Sequence, residues 1–329
     1  MNDSINQYKH TEDFRIVKKN VAVNEKRYEI AKEKWEFYTS TLEVAPAPLH
    51  VDIELTNICD LKCIMCERKY MKRPLGSMSF DLFKRVVDEC NIIGVDSIKL
   101  NLWGESLLHP ELIKMIRYIS ENSSIVTQFN TNANRLTSEK SKGLIEAGLD
   151  KLTISFDGLS QKTYEAIRVN GNYNKVITNI ETLIQNKIRL GSKTPYLTIQ
   201  IIRMPDNECE IDSFIERWKN EVDFISVTNI GSTAGSNEIL SYSLRKRMDN
   251  NRVACSQLWQ RLSILWDGSV TVCCNDYDGF LKLGRYGALP LTDYWHCERL
   301  NELRSKHKKL DFSDLICNRC TETFTYSDI

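Results

Sequence analysis

The chain has 329 residues, 42% of them hydrophobic, and its 44 basic residues balance 44 acidic ones. This length suffices for one large domain and a smaller one, and the even charge balance lacks the basic excess of a nucleic-acid-binding surface. No apolar run approaches the ~18 residues of a membrane span, and the polar start does not have the apolar core of a signal peptide. We therefore expect a cytoplasmic protein that contacts neither nucleic acid nor membrane.

The predicted elements begin with a polar, helical extension over residues 1–48, in which residues 26–40 form a helix that Pro46 and Pro48 end. From residue 49, strands and amphipathic helices alternate. Six segments have strand periodicity, namely residues 51–56, 97–102, 124–130, 151–156, 196–203 and 223–228. Among the helices between them, one is predicted to be capped by Ser79 and ended by Gly94, one to open at Pro110, and one at Thr137 or Ser138.

The alternation of strand and helix predicts the fold class. It implies parallel strands joined by right-handed crossovers, and six units are too few for an eight-stranded barrel. We predict an α/β fold, a partial (β/α)6 TIM-like barrel over residues 49–235, with its active face at the carboxyl ends of the strands. A glycine- and serine-containing stretch at residues 231–237 marks the boundary to a small cysteine-rich module, residues 236–329, that contains a hairpin of residues 262–266 and 270–273.

Three cysteines, Cys59, Cys63 and Cys66, follow the first predicted strand within eight residues. Cytosolic thiols rarely form disulfides, and cysteine thiolates are the usual ligands of iron–sulfur clusters. Three thiolates on a four-iron cluster leave one iron open for a substrate or cofactor. A structural zinc ion is the alternative, but it needs a fourth ligand, and His50, the nearest histidine, precedes the strand and would have to reach along it.

The Cys-x3-Cys-x2-Cys spacing resembles the hallmark of the radical S-adenosylmethionine (SAM) superfamily, and the resemblance covers roughly residues 50–329. It implies that Cys59, Cys63 and Cys66 hold a [4Fe–4S] cluster whose open iron binds SAM. Met65 departs from the family, which often has an aromatic residue there beside the adenine. Because methionine is polarizable and can pack on a ring, this departure is a mild one.

The resemblance also assigns SAM-binding roles to polar groups at the ends of the second and third strands. Gly104 and Glu105 are similar to the family's glycine–glutamate motif, which binds the methionyl amine of SAM. Glycine permits close backbone approach, and a carboxylate offers a countercharge to an amine. Asn130 begins a turn that is similar to the family's Thr-Asn turn.

The fourth strand end and the helix after it complete the implied SAM site. By resemblance, Ser155 and Asp157 contact the ribose hydroxyls, and Arg168 pairs with the carboxylate of SAM. A guanidinium suits that bidentate task. Each residue alone is equally typical of a cap or a surface position, and their joint placement at successive strand ends is what favours a SAM site.

Four cysteines of the C-terminal module, Cys255, Cys273, Cys317 and Cys320, resemble the "twitch" form of the SPASM module, which holds one auxiliary [4Fe–4S] cluster. Cys274 is the alternative to Cys273, and we prefer Cys273 because only one of two neighbouring strand residues faces a given side. Four cysteines with a terminal Cys-x2-Cys are also typical of a zinc ribbon.

The resemblance implies a radical SAM oxidoreductase. Such an enzyme cleaves SAM reductively to a 5′-deoxyadenosyl radical, takes a hydrogen atom from its substrate and passes an electron to the auxiliary cluster. The single auxiliary cluster resembles the 2-deoxy-scyllo-inosamine dehydrogenase type, so we expect a small-molecule substrate with an alcohol group, such as a sugar or aminocyclitol. The expected electron donor is a flavodoxin or ferredoxin.

Two other functions remain open at this point. A ribosomal-peptide maturase that crosslinks or epimerises its substrate is disfavoured because residues 1–48 are too short and too helical for the peptide-binding domain that such enzymes often carry. A zinc-binding protein without catalysis is the second alternative. The residue that accepts the substrate's proton is not apparent from the sequence.

Overall fold

The computed structural model describes residues 25–232, 236–313 and 315–328. The strands are β1 (His50–Ile53), β2 (Ser97–Lys99), β3 (Val126–Thr131), β4 (Lys151–Ser155), β5 (Tyr196–Arg203), β6 (Phe224–Asn229), β7 (Arg245–Arg252), β8 (Arg261–Ile264), β9 (Ser269–Thr271), β10 (Lys282–Arg285) and β11 (Phe324–Asp328). The α-helices are α1 (Glu25–Thr41), α2 (Phe80–Ile93), α3 (Leu112–Asn122), α4 (Ser138–Glu146), α5 (Gln161–Ile167), α6 (Tyr173–Arg189), α7 (Ile211–Trp218), α8 (Asn237–Leu240), α9 (Leu291–His296) and α10 (Glu298–Lys308).

Strands β1 to β6 lie side by side in chain order, and every neighbouring pair is parallel. Helices connect them, as right-handed crossovers between parallel strands require. The predicted α/β fold with six strand–helix units is therefore confirmed. Because all six strands run the same way, their carboxyl ends share one edge of the sheet, and the loops that follow them meet there.

The C-terminal hairpin extends this sheet. Strand β8 pairs in parallel with β1, and β9 and β10 add antiparallel strands beyond it, so the nine-stranded order is β10-β9-β8-β1-β2-β3-β4-β5-β6. A second sheet consists of β7 and β11 alone. The sequence predicted the hairpin but not its partner, because parallel pairing of strands more than 200 residues apart leaves no local pattern.

A buried polar network joins β8 to β1. Asp52 accepts hydrogen bonds from Arg261 at 3.3 Å and from Ser263 at 3.2 Å, and His50 lies between Asp52 and Ser97, at 3.3 and 2.7 Å. These five side chains are almost fully buried. Burial alone would raise the pKa of Asp52, but Arg261 and His50 outweigh it and hold that pKa well below its usual range. The C-terminal part of the chain is thus tied to the first strand by an ionised pair.

Helix ends follow the local signals in most places. Ser79 caps α2 by accepting a hydrogen bond from the Leu82 N–H, and Gly94 ends that helix with φ +77°. Thr137 caps α4. The expectation that Pro110 opens the next helix is wrong, since a 3-10 turn covers residues 106–108 and α3 starts only at Leu112, with Glu111 at its N-cap.

The N-terminal extension is described from Glu25 onward, and the helix predicted there is α1. Trp35 on this helix packs with Ala45 and Leu49 in a small apolar cluster. Residues 1–24 lie outside the described part, as do residues 233–235 within the predicted boundary stretch, so the domain limits remain predictions. Within the described residues, no helix is long and apolar enough to cross a membrane.

Candidate functional site

The loop that follows β1 brings three cysteines to the carboxyl edge of the sheet. Cys59, Cys63 and Cys66 are free thiols and partly buried. Burial raises the pKa of the Cys59 thiol to about 11, and it raises that of Cys63 to about 11 although Arg168 opposes it. A thiol must lose its proton to bind metal. The buried surroundings disfavour the thiolate form, and the positive charge of bound iron would stabilise it. Three clustered thiols suit a cluster with one open iron.

The first loop is anchored on the Cys59 side by a carboxylate. Asp60 accepts hydrogen bonds from the side chains of Asn132 at 2.9 Å, Asn134 at 2.8 Å and Arg135 at 3.1 Å. These donors hold the pKa of Asp60 below its usual value, against the effect of burial. The amide of Asn132 also lies 3.9 Å from the Cys59 sulfur. Sequence reasoning missed Asp60 and Asn134, and the position of Asp60 between two cysteines was the available signal.

Gly104 and Glu105 pack directly against the start of this loop. A Cβ atom on Gly104 would lie 2.0 Å from the carbonyl oxygen of Thr56, so only glycine fits. The N–H of Glu105 donates to the carbonyl of Ile58 at 2.9 Å, one residue before Cys59. The predicted motif and the cysteine loop are therefore in backbone contact.

The Glu105 carboxylate is almost fully buried and already accepts three hydrogen bonds. Its donors are the N–H of Leu107 at 3.0 Å, the Thr131 hydroxyl at 2.8 Å and the N–H of Asn132 at 2.8 Å. Burial raises the pKa of Glu105 to about 7. A carboxylate has about four acceptor positions, so one remains for an amine N–H. The role of Glu105 toward SAM stays a prediction that this geometry accommodates.

Asp157 and Arg168 pair with each other at the fourth strand end. The guanidinium of Arg168 donates to Asp157 Oδ2 at 2.7 Å from Nε, and the N–H of Ile202 donates to Oδ1 at 2.8 Å. The Nη1 atom of the same guanidinium lies 3.8 Å from the Cys63 sulfur. Asp157 thus holds Arg168 against the cysteine loop, an arrangement that the sequence did not predict. Ser155, half-buried at the end of β4, is the more accessible of the two residues predicted to contact ribose.

Asn130 is half-buried near the end of β3, where its N–H donates to the side chain of Asn101 at 2.8 Å. Gly104, Glu105 and Arg168 therefore contact the loop of Cys59, Cys63 and Cys66, and Asp157 is joined to it through Arg168. Asn130 and Ser155 lie at the carboxyl ends of the neighbouring strands β3 and β4, and among the described residues no contact with the loop is seen for either.

A second site lies in the C-terminal part, where four cysteines line one enclosed cavity. These are Cys255, Cys273, Cys317 and Cys320. Burial raises the pKa of Cys317 to about 11 and those of Cys255 and Cys273 well above their usual value. Apolar side chains such as Leu258 and Val272 also line the cavity, together with polar ones such as Gln257 and His307. Four thiols around one cavity suit an iron–sulfur cluster.

Cys273 lines this cavity, and Cys274 does not. The sulfur of Cys274 lies 2.9 Å from the side-chain oxygen of Gln257, a residue of the cavity wall. Strand β9 ends at Thr271, so both cysteines lie in the turn after it, and the argument from alternating strand positions was wrong. The assignment of Cys273 rather than Cys274 as the ligand stays a prediction.

Arg73 connects the loop of Cys59, Cys63 and Cys66 with the loop that follows Cys273. Arg73, which follows the first loop, makes two hydrogen bonds to Glu54, one of them at 2.6 Å, and donates from Nε to the Tyr277 carbonyl at 2.8 Å. Asp278 accepts from the N–H groups of Lys72 at 2.8 Å and of Arg73 at 2.9 Å. Tyr277 and Asp278 follow Cys273 by a few residues, so these contacts fix one loop relative to the other. Nothing in the sequence indicated this pairing.

The family model of the radical SAM superfamily matches residues 53–217, about half of the chain. The chain belongs to the radical SAM superfamily. A second model, an iron–sulfur cluster-binding domain named SPASM, matches residues 255–321. The first match spans every residue predicted for SAM, and the second spans the four cysteines of the enclosed cavity.

Membership in this superfamily brings SAM and a SAM-binding [4Fe–4S] cluster, and the SPASM domain brings an auxiliary iron–sulfur cluster. Among the described residues, no three histidine, cysteine or acidic side chains are placed to hold a single metal ion.

Two curated relatives illustrate how varied such enzymes are. The GTP 3′,8-cyclase of Clostridium perfringens (strain SM101 / Type A) is 30% identical over 188 residues, which are 55% of this chain and 56% of the relative. The tungsten-containing aldehyde ferredoxin oxidoreductase cofactor-modifying protein of Pyrococcus furiosus is 25% identical over 182 residues, 54% of this chain and 50% of the relative. The chain thus spans about half the length of the curated relatives it matches.

Two solved structures share the fold over most of the chain. BtrN, solved with AdoMet and 2-DOIA, has a TM-score of 0.58 at 16% identity and covers 83% of this chain and 92% of its own. SuiB of Streptococcus suis, solved with the precursor peptide SuiA, has a TM-score of 0.64 at 15% identity and covers 94% of this chain and 77% of its own. At such identities the likeness shows the fold alone.

Proposed function

We propose that this radical SAM enzyme oxidises an alcohol group of a small polar molecule, such as a sugar or aminocyclitol. The observation that carries the proposal is an open cavity of about 770 Å³. It lies between the two cysteine loops, since Lys69, Tyr70 and Lys72 line it from the exit of the first and Tyr277, Asp278 and Phe280 from the second. Pockets for small molecules typically have ~300–1,000 Å³.

The lining suits a polyhydroxylated molecule. Tyr70, Tyr277 and Phe280 present aromatic rings to the cavity, and Phe280 is 50% exposed. Such rings can pack against the apolar faces of a sugar or cyclitol. Two backbone N–H groups hold one oxygen of the Asp278 carboxylate. Its other oxygen can accept a hydrogen bond from a substrate hydroxyl or ammonium group.

Oxidation of an alcohol to a carbonyl removes one hydrogen atom, one electron and one proton from the substrate. When bound, SAM and the two clusters supply the radical that takes the hydrogen atom and an acceptor for the electron. Cys59, Cys63 and Cys66 would hold the first cluster, and Cys255, Cys273, Cys317 and Cys320 the second. A flavodoxin or ferredoxin in the cytoplasm would supply the reducing electron.

The proton has a route through Tyr70 and Glu238. The Tyr70 hydroxyl donates to Glu238 at 2.5 Å, and Lys69 also bonds to this carboxylate. Hydrogen bonds from Lys69 and Tyr70 hold the pKa of Glu238 below its usual value, so Glu238 is an ionised acceptor of the Tyr70 hydrogen bond. The Tyr70 oxygen can take the proton of a substrate hydroxyl as it passes its own to Glu238.

The test of the substrate class is anaerobic incubation with SAM, a reductant and a panel of labelled compounds. Each alcohol in the panel carries deuterium on the carbon that bears its hydroxyl group, and each peptide carries deuterium on its carbon atoms. We expect 5′-deoxyadenosine to become deuterated from an alcohol such as 2-deoxy-scyllo-inosamine or an amino sugar. Deuterium that comes from labelled peptides, and from none of the alcohols, would refute the proposal in favour of a peptide maturase. SuiB, solved with its precursor peptide, and the openness of the cavity keep that second candidate in view.

The proton route is tested with Tyr70→Phe, which keeps the ring and removes the hydroxyl. General acid–base groups contribute ~10²–10⁴-fold, so we expect a hundredfold loss of oxidised product while deuterium transfer to 5′-deoxyadenosine persists. Tyr118→Phe is the matched control. The Tyr118 hydroxyl donates a hydrogen bond of the same length, 2.5 Å, to Asp88, and this pair does not line the cavity. Equal product formation by both variants would exclude Tyr70 from the route.

A further inference from the structure

The cavity lined by Cys255, Cys273, Cys317 and Cys320 has one further polar ring in its wall. His307 lies on α10, is fully buried and lines this cavity. The backbone N–H of Cys255 donates to its Nδ1 at 3.2 Å. A backbone N–H can only donate, so Nδ1 carries no proton, and the proton of the ring resides on Nε2.

The Nε2 atom of His307 is buried and has no hydrogen-bond partner among the described residues. Buried donors in proteins almost always find an acceptor, and one left alone costs free energy. The ring also contacts Phe312 edge-to-face, with centroids 4.9 Å apart, but Arg252 lies over the Phe312 ring at 4.2 Å. A phenyl ring is at best a weak acceptor, so the contact does not satisfy the N–H.

The sulfur atoms of an iron–sulfur cluster are acceptors that fit this position. We propose that His307 donates a hydrogen bond from Nε2 to a sulfur atom of the auxiliary cluster and thereby raises its reduction potential. Hydrogen bonds to cluster sulfurs are one of the levers that set such potentials, because they stabilise the additional negative charge of the reduced state. His307 therefore makes the auxiliary cluster a better electron acceptor, whatever the substrate is.

Two substitutions separate the two nitrogens of the ring. His307→Asn places an amide oxygen near the position of Nδ1 and keeps the acceptor for Cys255, but it has no donor at Nε2. His307→Gln reaches the position of Nε2 with an N–H donor and loses the acceptor for Cys255. His109→Asn is the control, because His109 is also buried, and its nitrogens bond to the Met78 carbonyl at 2.9 Å and the Glu111 N–H at 3.2 Å.

The measurement is an anaerobic redox titration, followed by EPR, of protein reconstituted with iron and sulfide. Changing Cys59, Cys63 and Cys66 to alanine in every sample leaves the auxiliary cluster as the one signal. We expect His307→Asn to lower the midpoint potential, and a hydrogen bond that favours reduction tenfold would correspond to 59 mV for one electron. His307→Gln and His109→Asn should stay near the value of the parent protein.

Four results would overturn the inference. A potential in His307→Asn that equals the control would show that no donor was lost, and equal shifts in His307→Asn and His307→Gln would assign the effect to packing. If His307→Asn fails to hold iron, the parent protein labelled with 15N-histidine decides. Of the histidines that the structure describes, His307 alone lines this cavity, so the reduced cluster should show a weak 15N coupling. No coupling, or one strong enough for a direct iron–nitrogen bond, would contradict the hydrogen bond.

Discussion

Gly104 is the position at which a single methyl group should do the most damage to the first cysteine loop. The Cβ atom of an alanine would lie 2.0 Å from the Thr56 carbonyl oxygen, 2.7 Å from its carbon and 2.9 Å from the Ile58 oxygen. Real Cβ atoms stay beyond 3.0 Å, so the loop must withdraw by about 1 Å. All three contacts are backbone atoms, which cannot rotate away as a side chain can.

The expected cost follows from that displacement. Overpacking typically lowers the free energy of unfolding by ~1–3 kcal/mol. The withdrawal also breaks the hydrogen bond from the Glu105 N–H to Ile58 and shifts Cys59 relative to the other thiols. A misplacement of ~1 Å at reacting groups can cost ~10²-fold in rate. We therefore expect Gly104→Ala to hold less iron and to cleave SAM about a hundredfold more slowly.

The assay is iron content after anaerobic reconstitution, together with the rate of 5′-deoxyadenosine formation under reducing conditions without added substrate. Gly143→Ala is the matched control, because Gly143 lies within helix α4 and its nearest neighbour is a side chain. The new Cβ atom would lie 3.3 Å from the flexible side chain of Ile113. Alanine is favoured over glycine by up to ~1 kcal/mol in a helix, which offsets the small shift that the Ile113 side chain must make, so this control should stay close to the parent protein in stability. If Gly104→Ala retains iron and SAM cleavage as well as Gly143→Ala does, the close contact with the loop is not what requires glycine.

Three more predictions concern charged groups and ligands. Because burial raises the pKa of Glu105 to about 7, its carboxylate form becomes dominant as the pH rises through 7. The SAM affinity of the parent protein relative to Glu105→Gln should therefore increase about tenfold from pH 6 to pH 8, and a constant ratio in equilibrium binding would contradict this. Cys273→Ser should lower the iron content from about eight to about four per chain, while Cys274→Ser should retain about eight; the reverse order would exchange the two roles. Asp157→Asn leaves the buried Arg168 guanidinium without its carboxylate and should lower the free energy of unfolding in urea by ~3–5 kcal/mol, and an unchanged urea midpoint would show that the pair is not stabilising.

The sequence by itself determines the order of the elements and the first metal-binding loop. Strand periodicity and amphipathic helices reflect which face each residue buries, and that is a local property. The same holds for caps such as Ser79 and Thr137. The spacing of Cys59, Cys63 and Cys66 is also local, so the chemistry of that loop was readable without any structure.

Only the tertiary structure decided which distant groups meet. It paired β8 with β1 and joined Asp157 to Arg168 in an ion pair. It also placed three side-chain donors around the carboxylate of Asp60. It also separated Cys273 from Cys274 and aligned His307 with the four cysteines. Most of these contacts join residues far apart in the chain, and even the pair of Asp157 and Arg168, 11 residues apart, depends on how the sheet and loops pack together. Such pairings have no repeat or spacing in the sequence, since what selects them is the free energy of burying charged and hydrogen-bonding groups with a partner.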